Sequence, residues 1–283
     1  MPAQIEADAL KSLLDAESVK IIDGSWALDG TDMRALYAES HVPTAQFFDI
    51  DAISDRSSGL PHMAPTPDVF AQAVGDMGIS ETDHVVIYDR QGLFSAARVW
   101  WTFRLMGHKK VQVLKGGLPA WIAAGYPTGR GAEWVKGITY TPNPNPDMVI
   151  SLNVLRSHLG ASDEMVLDAR PAARFDGTAP EPRAGLRSGH MPGSRSLPAT
   201  ELIRDGALKP VGDLKNIFSA LHVTPKTQVI TSCGSGVTAA IIALALHEVG
   251  HEKVRLYDGS WVEWGQATLD TPVVTSAQRT GGE

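Results

Sequence analysis

"VITSCGSGVTAAIIALALHEVGHEKVRLYDGSWVEW", residues 229–264, decides the fold. A short apolar run ends at Thr231, a Cys-Gly-Ser-Gly turn follows, and VTAAIIALALHEV continues near 237–249 before VRLY at 254–257. The middle run is apolar on nearly every face, which predicts a helix lying deep against a sheet. Strand, helix and strand at this spacing predict a parallel pair joined by a crossover.

The pattern occurs twice. Residues 86–121, VIYDRQGLFSAARVWWTFRLMGHKKVQVLKGGLPAW, run against 229–264 without a gap at an offset of 143 residues. Val86/Val229, Ile87/Ile230, Ala96/Ala239, Gly107/Gly250, His108/His251, Val111/Val254, Gly116/Gly259 and Trp121/Trp264 coincide. Upstream, IIDGSW (21–26) echoes VLDARP (166–171), and HVPTA (41–45) echoes HMPGS (190–194). Such self-similarity signals a duplicated domain. TPNPNPD (141–147) cannot continue a helix and favours extended backbone. The reading is therefore a domain at 1–136, a linker at 137–147 and a second domain at 148–283. Each is expected to be a small α/β unit, a mainly parallel sheet with helices on both faces.

Composition narrows the function. The chain has 283 residues, 43% of them apolar and 20% charged, with a net charge of −7. That balance supports a sizeable core and argues against a nucleic-acid binder. One cysteine excludes an internal disulfide and a thiolate-rich metal site, and it fits a reducing compartment. No apolar run approaches the ~20 residues of a membrane span. The start, MPAQIEADALKSLL, lacks a signal-peptide pattern. The expectation is a soluble cytoplasmic protein with no membrane or nucleic-acid partner.

Ligands of open α/β sheets sit beyond the carboxyl ends of strands, where Cys233 falls. Unpaired N–H groups of the loop and the first helical turn favour an anion there, and the thiolate is the nucleophilic form of cysteine. Gly234 and Gly236 allow the backbone to curl around the sulfur, Val237 leads into the helix, and Ser235 and Thr238 add hydroxyl donors. A lone cysteine is more often an inert core residue, but its place between strand and helix points to chemistry. At the ungapped offset, Arg90 stands opposite Cys233, which leaves the first copy without a nucleophile.

CGSGVTA, the duplicated domain, RFDGTAPEPRAGLRSGHMPG (174–193), IIDGSW, FFDIDAISDR and YDGSWVEWG together resemble the two-domain rhodanese-type sulfurtransferases, over nearly the whole chain. Within them the loop is similar to the mercaptopyruvate-using branch. Thiosulfate-using relatives carry basic residues after the cysteine, where Gly234 and Ser235 stand here. The resemblance implies two tandem rhodanese-like domains, the second catalytic. It further implies transfer of sulfur from 3-mercaptopyruvate through a Cys233 persulfide to cyanide or a thiol acceptor such as thioredoxin or glutathione, with release of pyruvate. No cofactor is implied, and a monomer or weak oligomer is expected.

Five arginines lie in 170–195: Arg170, Arg174, Arg183, Arg187 and Arg195. A guanidinium fork matches a carboxylate, yet any one of these arginines could equally pair with Asp168, Asp176 or Glu181. The resemblance assigns Arg174 and Arg183 to the substrate carboxylate and ketone. It also implies a relay in which Asp51 orients His62 and His62 activates Ser235; otherwise Asp51 caps a helix and His62 is an ordinary loop residue. Asp49, Asp51 and Asp55 do not form a calcium loop, because Ser54 and Leu60 stand where glycine and glutamate are needed. Other classes remain as alternatives: thiosulfate sulfurtransferase, or a non-catalytic persulfide carrier. A cysteine phosphatase would need an arginine at Ala239.

Overall fold

The computed structural model describes residues 1–161 and 163–276. The chain forms two compact units. The first comprises Met1–Asp55, Ala64–Pro146 and Ile203–Leu208; the second comprises Arg56–Met63, Asp147–Leu202 and the chain from Lys209 onward. Each unit therefore holds a short segment whose sequence neighbours belong to the other.

The first unit is built on β1 (Gln4–Ile5), β2 (Lys20–Asp23), β3 (Gln46–Phe47), β4 (Val85–Tyr88) and β5 (Val111–Leu114), in the order β1-β5-β4-β2-β3 with parallel pairing throughout. The chain continues with β6 (Val149–Ile150), β7 (Glu164–Asp168) and β8 (Arg195–Ser196), then a hairpin of β9 (Ile203–Arg204) and β10 (Ala207–Leu208), and finally β11 (Gln228–Ser232) and β12 (Val254–Tyr257). The second sheet has the same order, β6-β12-β11-β7-β8, again all parallel.

Both central strands are covered on two faces, as a parallel sheet requires. All four residues of β4 and of β5 are buried. On one face of the first sheet, Ile21, Val86, Tyr88 and Leu114 pack with Leu10 and Trp121; in the second unit, Val166, Ile230 and Tyr257 pack with Leu155, Trp261 and Trp264. The crossover helices are Ala96–Leu105 and Ala239–Glu248, the latter buried from Ala239 through Leu246. The apolar run read from the sequence is this helix; its first two residues, Val237 and Thr238, instead form a turn.

The Pro/Asn stretch has no regular structure until a 3-10 turn at Pro146–Met148, but it is not loose. Ile138 N–H donates to Gly75 O, Asn143 N–H to Met106 O and Asn145 N–H to Leu105 O, at 2.9, 2.9 and 2.7 Å. Tyr140 is buried and meets Phe70 edge-on. These bonds fasten the stretch to the first unit.

Strand register corrects the ungapped comparison of the two copies. Asp23 pairs with Tyr88, and Asp168 with Ser232; Val85 pairs with Val111, and Val229 with Val254. Tyr88 is thus the equivalent of Ser232, and the equivalent of Cys233 is Asp89, not Arg90. The following helices begin at Ala96 and Ala239, so the first loop is one residue longer. The slip is also visible in the hydrogen bonds, because Leu118 N–H donates to Asp89 O as Trp261 N–H donates to Cys233 O.

Asp89 places its carboxylate among the amides of its own loop. Oδ2 accepts from Phe94, Ser95 and Ala96 at 2.7, 2.9 and 2.9 Å, and Oδ1 accepts from Gln91 at 2.9 Å. Burial pushes the Asp89 carboxyl above the ordinary carboxylate value, while these N–H bonds pull it part of the way back.

Two predictions follow from these contacts. Asp89→Asn turns an NH2 group toward amide donors, and the loss of charged acceptors should cost about 3 kcal/mol, read as a lower denaturant midpoint. An unchanged midpoint would mean that the bonds contribute nothing net. Gly107 lies at φ 85°, and an added Cβ would sit 2.2 Å from Asn143 O, whereas Gly125 at φ 79° has open space. Gly107→Ala should lower the thermal midpoint well beyond the ~1–2 kcal/mol left-handed penalty expected for Gly125→Ala; equal losses would contradict the fastening of the linker.

Candidate active site

Cys233 is the first residue beyond β11 and is 2% exposed. Its N–H donates to Ser260 Oγ at 3.1 Å, its carbonyl accepts from Trp261 N–H at 3.0 Å, and the Gly234 carbonyl accepts from Val262 N–H at 2.9 Å. In a trans peptide, C=O and the following N–H point in opposite directions, so the amides of Gly234 and Ser235 face away from the helix Ser260–Trp264. Gly236 turns the loop at φ 81°. The amides of Ser235, Val237 and Thr238 have no acceptor among the described residues. In the first unit the Asp89 carboxylate serves amides of this kind.

Ser260 holds its hydroxyl in place by donating to Tyr257 O at 2.8 Å, with its own backbone at φ 46°. That left-handed conformation is uncommon for a residue with a Cβ.

Of the predicted relay, His62 and Ser235 meet: Nδ1 and Oγ share a hydrogen bond of 2.8 Å, and both side chains are buried. His62 is at φ 61° and lies in segment 56–63, which belongs to the second unit. Asp51 belongs to the first unit, where its carboxylate accepts from Trp26 Nε1 at 3.0 Å and its carbonyl from Ser54 Oγ at 2.8 Å.

The arginines separate into distinct roles. Arg174 lies against the loop, its Nη2 3.3 Å from where a Cβ on Gly234 would stand. Gly236 supplies the positive φ of the turn, while at Gly234 the absence of a Cβ leaves Arg174 its close approach. Arg174 Nε and Nη2 donate to Glu181, whose side chain is 1% exposed. Arg170 donates to the same carboxylate at 2.8 Å and to Asp168 at 2.7 Å, and stacks 4.0 Å over Trp261. Burial works against the Arg170 cation, but Asp168 and Glu181 outweigh it and hold the guanidinium above its ordinary value. Arg183 is half-buried and makes no hydrogen bond or ion pair among the described residues.

Arg187 clamps backbone, donating to Thr271 O at 2.7 Å and Trp264 O at 2.9 Å, and exposed Arg195 donates to Leu221 O at 2.7 Å. His108 and His251 bond to the Asp83 and Thr227 carbonyls, each at 3.0 Å.

Two contributors escaped the sequence reading. Ser260 stands in YDGSWVEWG, a run noted only for its family likeness, and the glycine–serine pair after a strand was the available signal. Glu181 had been considered only as an ordinary ion-pair partner.

Residues 6–124 and 151–267 each match the rhodanese-like domain. The 3-mercaptopyruvate sulfurtransferase of Escherichia coli K12 is 42% identical, over 95% of this chain and 96% of its own length. The mouse protein of the same name is 41% identical over 93% and 90%. An Arabidopsis thaliana thiosulfate/3-mercaptopyruvate sulfurtransferase is 40% identical over 92% and 75%. The crystal structure of SseA from Escherichia coli, described as a 3-mercaptopyruvate sulfotransferase with the rhodanese fold, superposes with a TM-score of 0.84 at 38% identity, covering 92% of this chain and 99% of that one. With both halves matched and the register shared, the chain belongs to the rhodanese family as a tandem pair of rhodanese-like domains.

Proposed function

We propose that this protein is a 3-mercaptopyruvate sulfurtransferase whose nucleophile is Cys233. One observation carries the assignment of the site: a guanidinium and a histidine–serine pair converge on three consecutive residues that begin with the thiol. Arg174 lies against Gly234, and His62 bonds to Ser235. The likeness to named mercaptopyruvate enzymes over nearly the whole chain supports the donor.

In the first half-reaction the Cys233 thiolate attacks the thiol sulfur of the donor. A sulfur–sulfur bond forms, the sulfur–carbon bond breaks, and the electron pair passes to carbon as the enolate of pyruvate. The proton of the donor thiol leaves through Ser235 and His62, and the same pair returns a proton to the enolate carbon. The persulfide on Cys233 is stabilised by the loop amides. In the second half-reaction an acceptor thiolate or cyanide attacks the outer sulfur, and the Cys233 thiolate is regenerated. Electrons balance without an external carrier. Arg174 and Arg183 are the forks available for the donor carboxylate and ketone. A free thiol as nucleophile fits a reducing, cytoplasmic setting, and glutathione or thioredoxin chemistry would serve as acceptor.

Cys233→Ser should fold and release no pyruvate, and the wild type incubated with mercaptopyruvate should gain the mass of one sulfur atom that the variant does not. Pyruvate release by the folded variant would end the nucleophile assignment. Arg174→Lys and Arg183→Lys keep charge and lose the fork, so each should lower kcat/KM by about ten- to a hundredfold. Unchanged kinetics in both would place the carboxylate elsewhere.

A further inference from the structure

We propose that Glu181 sets the charge of the sulfur donor: it neutralises Arg174 while holding that residue's fork over the cysteine loop, so the site favours a monoanion over a dianion. The proposal rests on the sulfurtransferase reading above.

A carboxylate next to an anion site repels the substrate and would be expected to be selected against unless it performs a task. Glu181 is 1% exposed, so its charge acts with little screening by water. It accepts from Arg174 through Nε and Nη2 and from Arg170 through Nη1. Arg170 also has Asp168. Two guanidinium groups thus face two buried carboxylates, and the cluster sums to zero. Arg174 still presents its remaining N–H groups on the Gly234 side, where Nη1 and Nη2 are the nearest atoms to a Cβ position. It offers directional hydrogen bonds with little net field.

Arg183, two residues beyond Glu181, has no carboxylate partner among the described residues. Under the sulfurtransferase reading, which assigns Arg183 to the donor, it is the one uncompensated cation offered, and that suits one carboxylate. Mercaptopyruvate carries a single such charge, away from the sulfur under attack. Thiosulfate brings two charges close to that sulfur, and the second meets a fork already neutralised. Glu181 also steadies the loop indirectly, since Arg170 stacks on Trp261, whose N–H holds the Cys233 carbonyl. It is a positioning and selectivity residue and touches no reacting atom.

The test compares kcat/KM for mercaptopyruvate and thiosulfate in wild type, Glu181→Gln and Glu181→Asp at one ionic strength. Glu181→Gln keeps the shape and one accepting oxygen but removes the charge, so the thiosulfate-to-mercaptopyruvate ratio should rise about tenfold. Glu181→Asp keeps the charge with a shorter reach, so KM should rise for both donors with the ratio unchanged. A purely structural role would lower both donors equally in both variants and would overturn the proposal, as would an equal ratio shift in Glu181→Asp. Should Glu181→Gln not fold, inhibition of the wild type by pyruvate and by sulfate decides. Pyruvate should compete better against mercaptopyruvate, and stronger competition by sulfate would overturn charge selection. A wild type that does not turn over mercaptopyruvate would overturn the functional reading itself. An active wild type with a flat ratio in Glu181→Gln overturns only the role of Glu181.

Discussion

Backbone amides at a tight strand-to-helix turn need acceptors, and this requirement shapes both units. Between β11 and the helix Ala239–Glu248 the chain has only residues 233–238 in which to reverse direction beside a buried sheet. The carbonyls of Cys233 and Gly234 are taken by Trp261 and Val262, which turns the adjoining amides the other way. A concentration of unpaired N–H groups is tolerable only where an anion accepts them. The first unit meets the demand internally, with Asp89. The second has a thiol, Cys233, at the equivalent position, and in the mechanism proposed above the persulfide formed there would be the anion that these amides serve.

Much of this was legible in sequence because buried parallel strands and a helix apolar on every face leave strong signals. VQVL and VRLY are β5 and β12 at the residues read. The one-residue slip in the loop was not legible, for a physical reason. Val85, Val86 and Ile87 are interchangeable as buried strand residues, so side-chain identity cannot fix their register against Val229 and Ile230. Only the hydrogen-bonded pairs to β2 and β5 do so. Likewise the His62–Ser235 contact spans 173 residues, and it depends on segment 56–63 belonging to the unit that holds the cysteine. The family resemblance named both residues; spacing alone could not have joined them.

The arginine-rich stretch shows how little a count of cations says about the charge of a site. Five arginines offered five possible forks, and the alternative of ordinary pairing holds for most of them: Arg187 and Arg195 are spent on backbone carbonyls, and Arg170 is locked to Asp168 and Glu181. What remains beside the loop is geometry more than charge. Buried ion pairs are weak sources of stability, because desolvation consumes most of their attraction. Their presence beside Cys233 is better explained by orientation: Arg170 and Arg174 are each fixed by a buried partner, so under the proposed function little reorganisation would be needed when a donor arrives.

Three non-glycine residues described in the second unit lie at positive φ, His62, His222 and Ser260, and two of them serve the cysteine loop. His62 at φ 61° and Ser260 at φ 46° both carry a Cβ in the left-handed region, and both reach the loop through a side-chain oxygen or nitrogen. The first unit has Gly117 at the position of Ser260, also left-handed at φ 55°, where a Cβ would stand 2.2 Å from Asp89 O. There the Asp89 carboxylate serves the amides of Gln91, Phe94, Ser95 and Ala96, and glycine adopts the turn at no steric cost. In the second unit the same turn is kept with serine, at a cost of about 1 kcal/mol or more, because the Cys233 N–H needs the Oγ acceptor. In otherwise matching turns, the serine thus supplies an acceptor for the cysteine N–H that the glycine of the first unit has no side chain to offer.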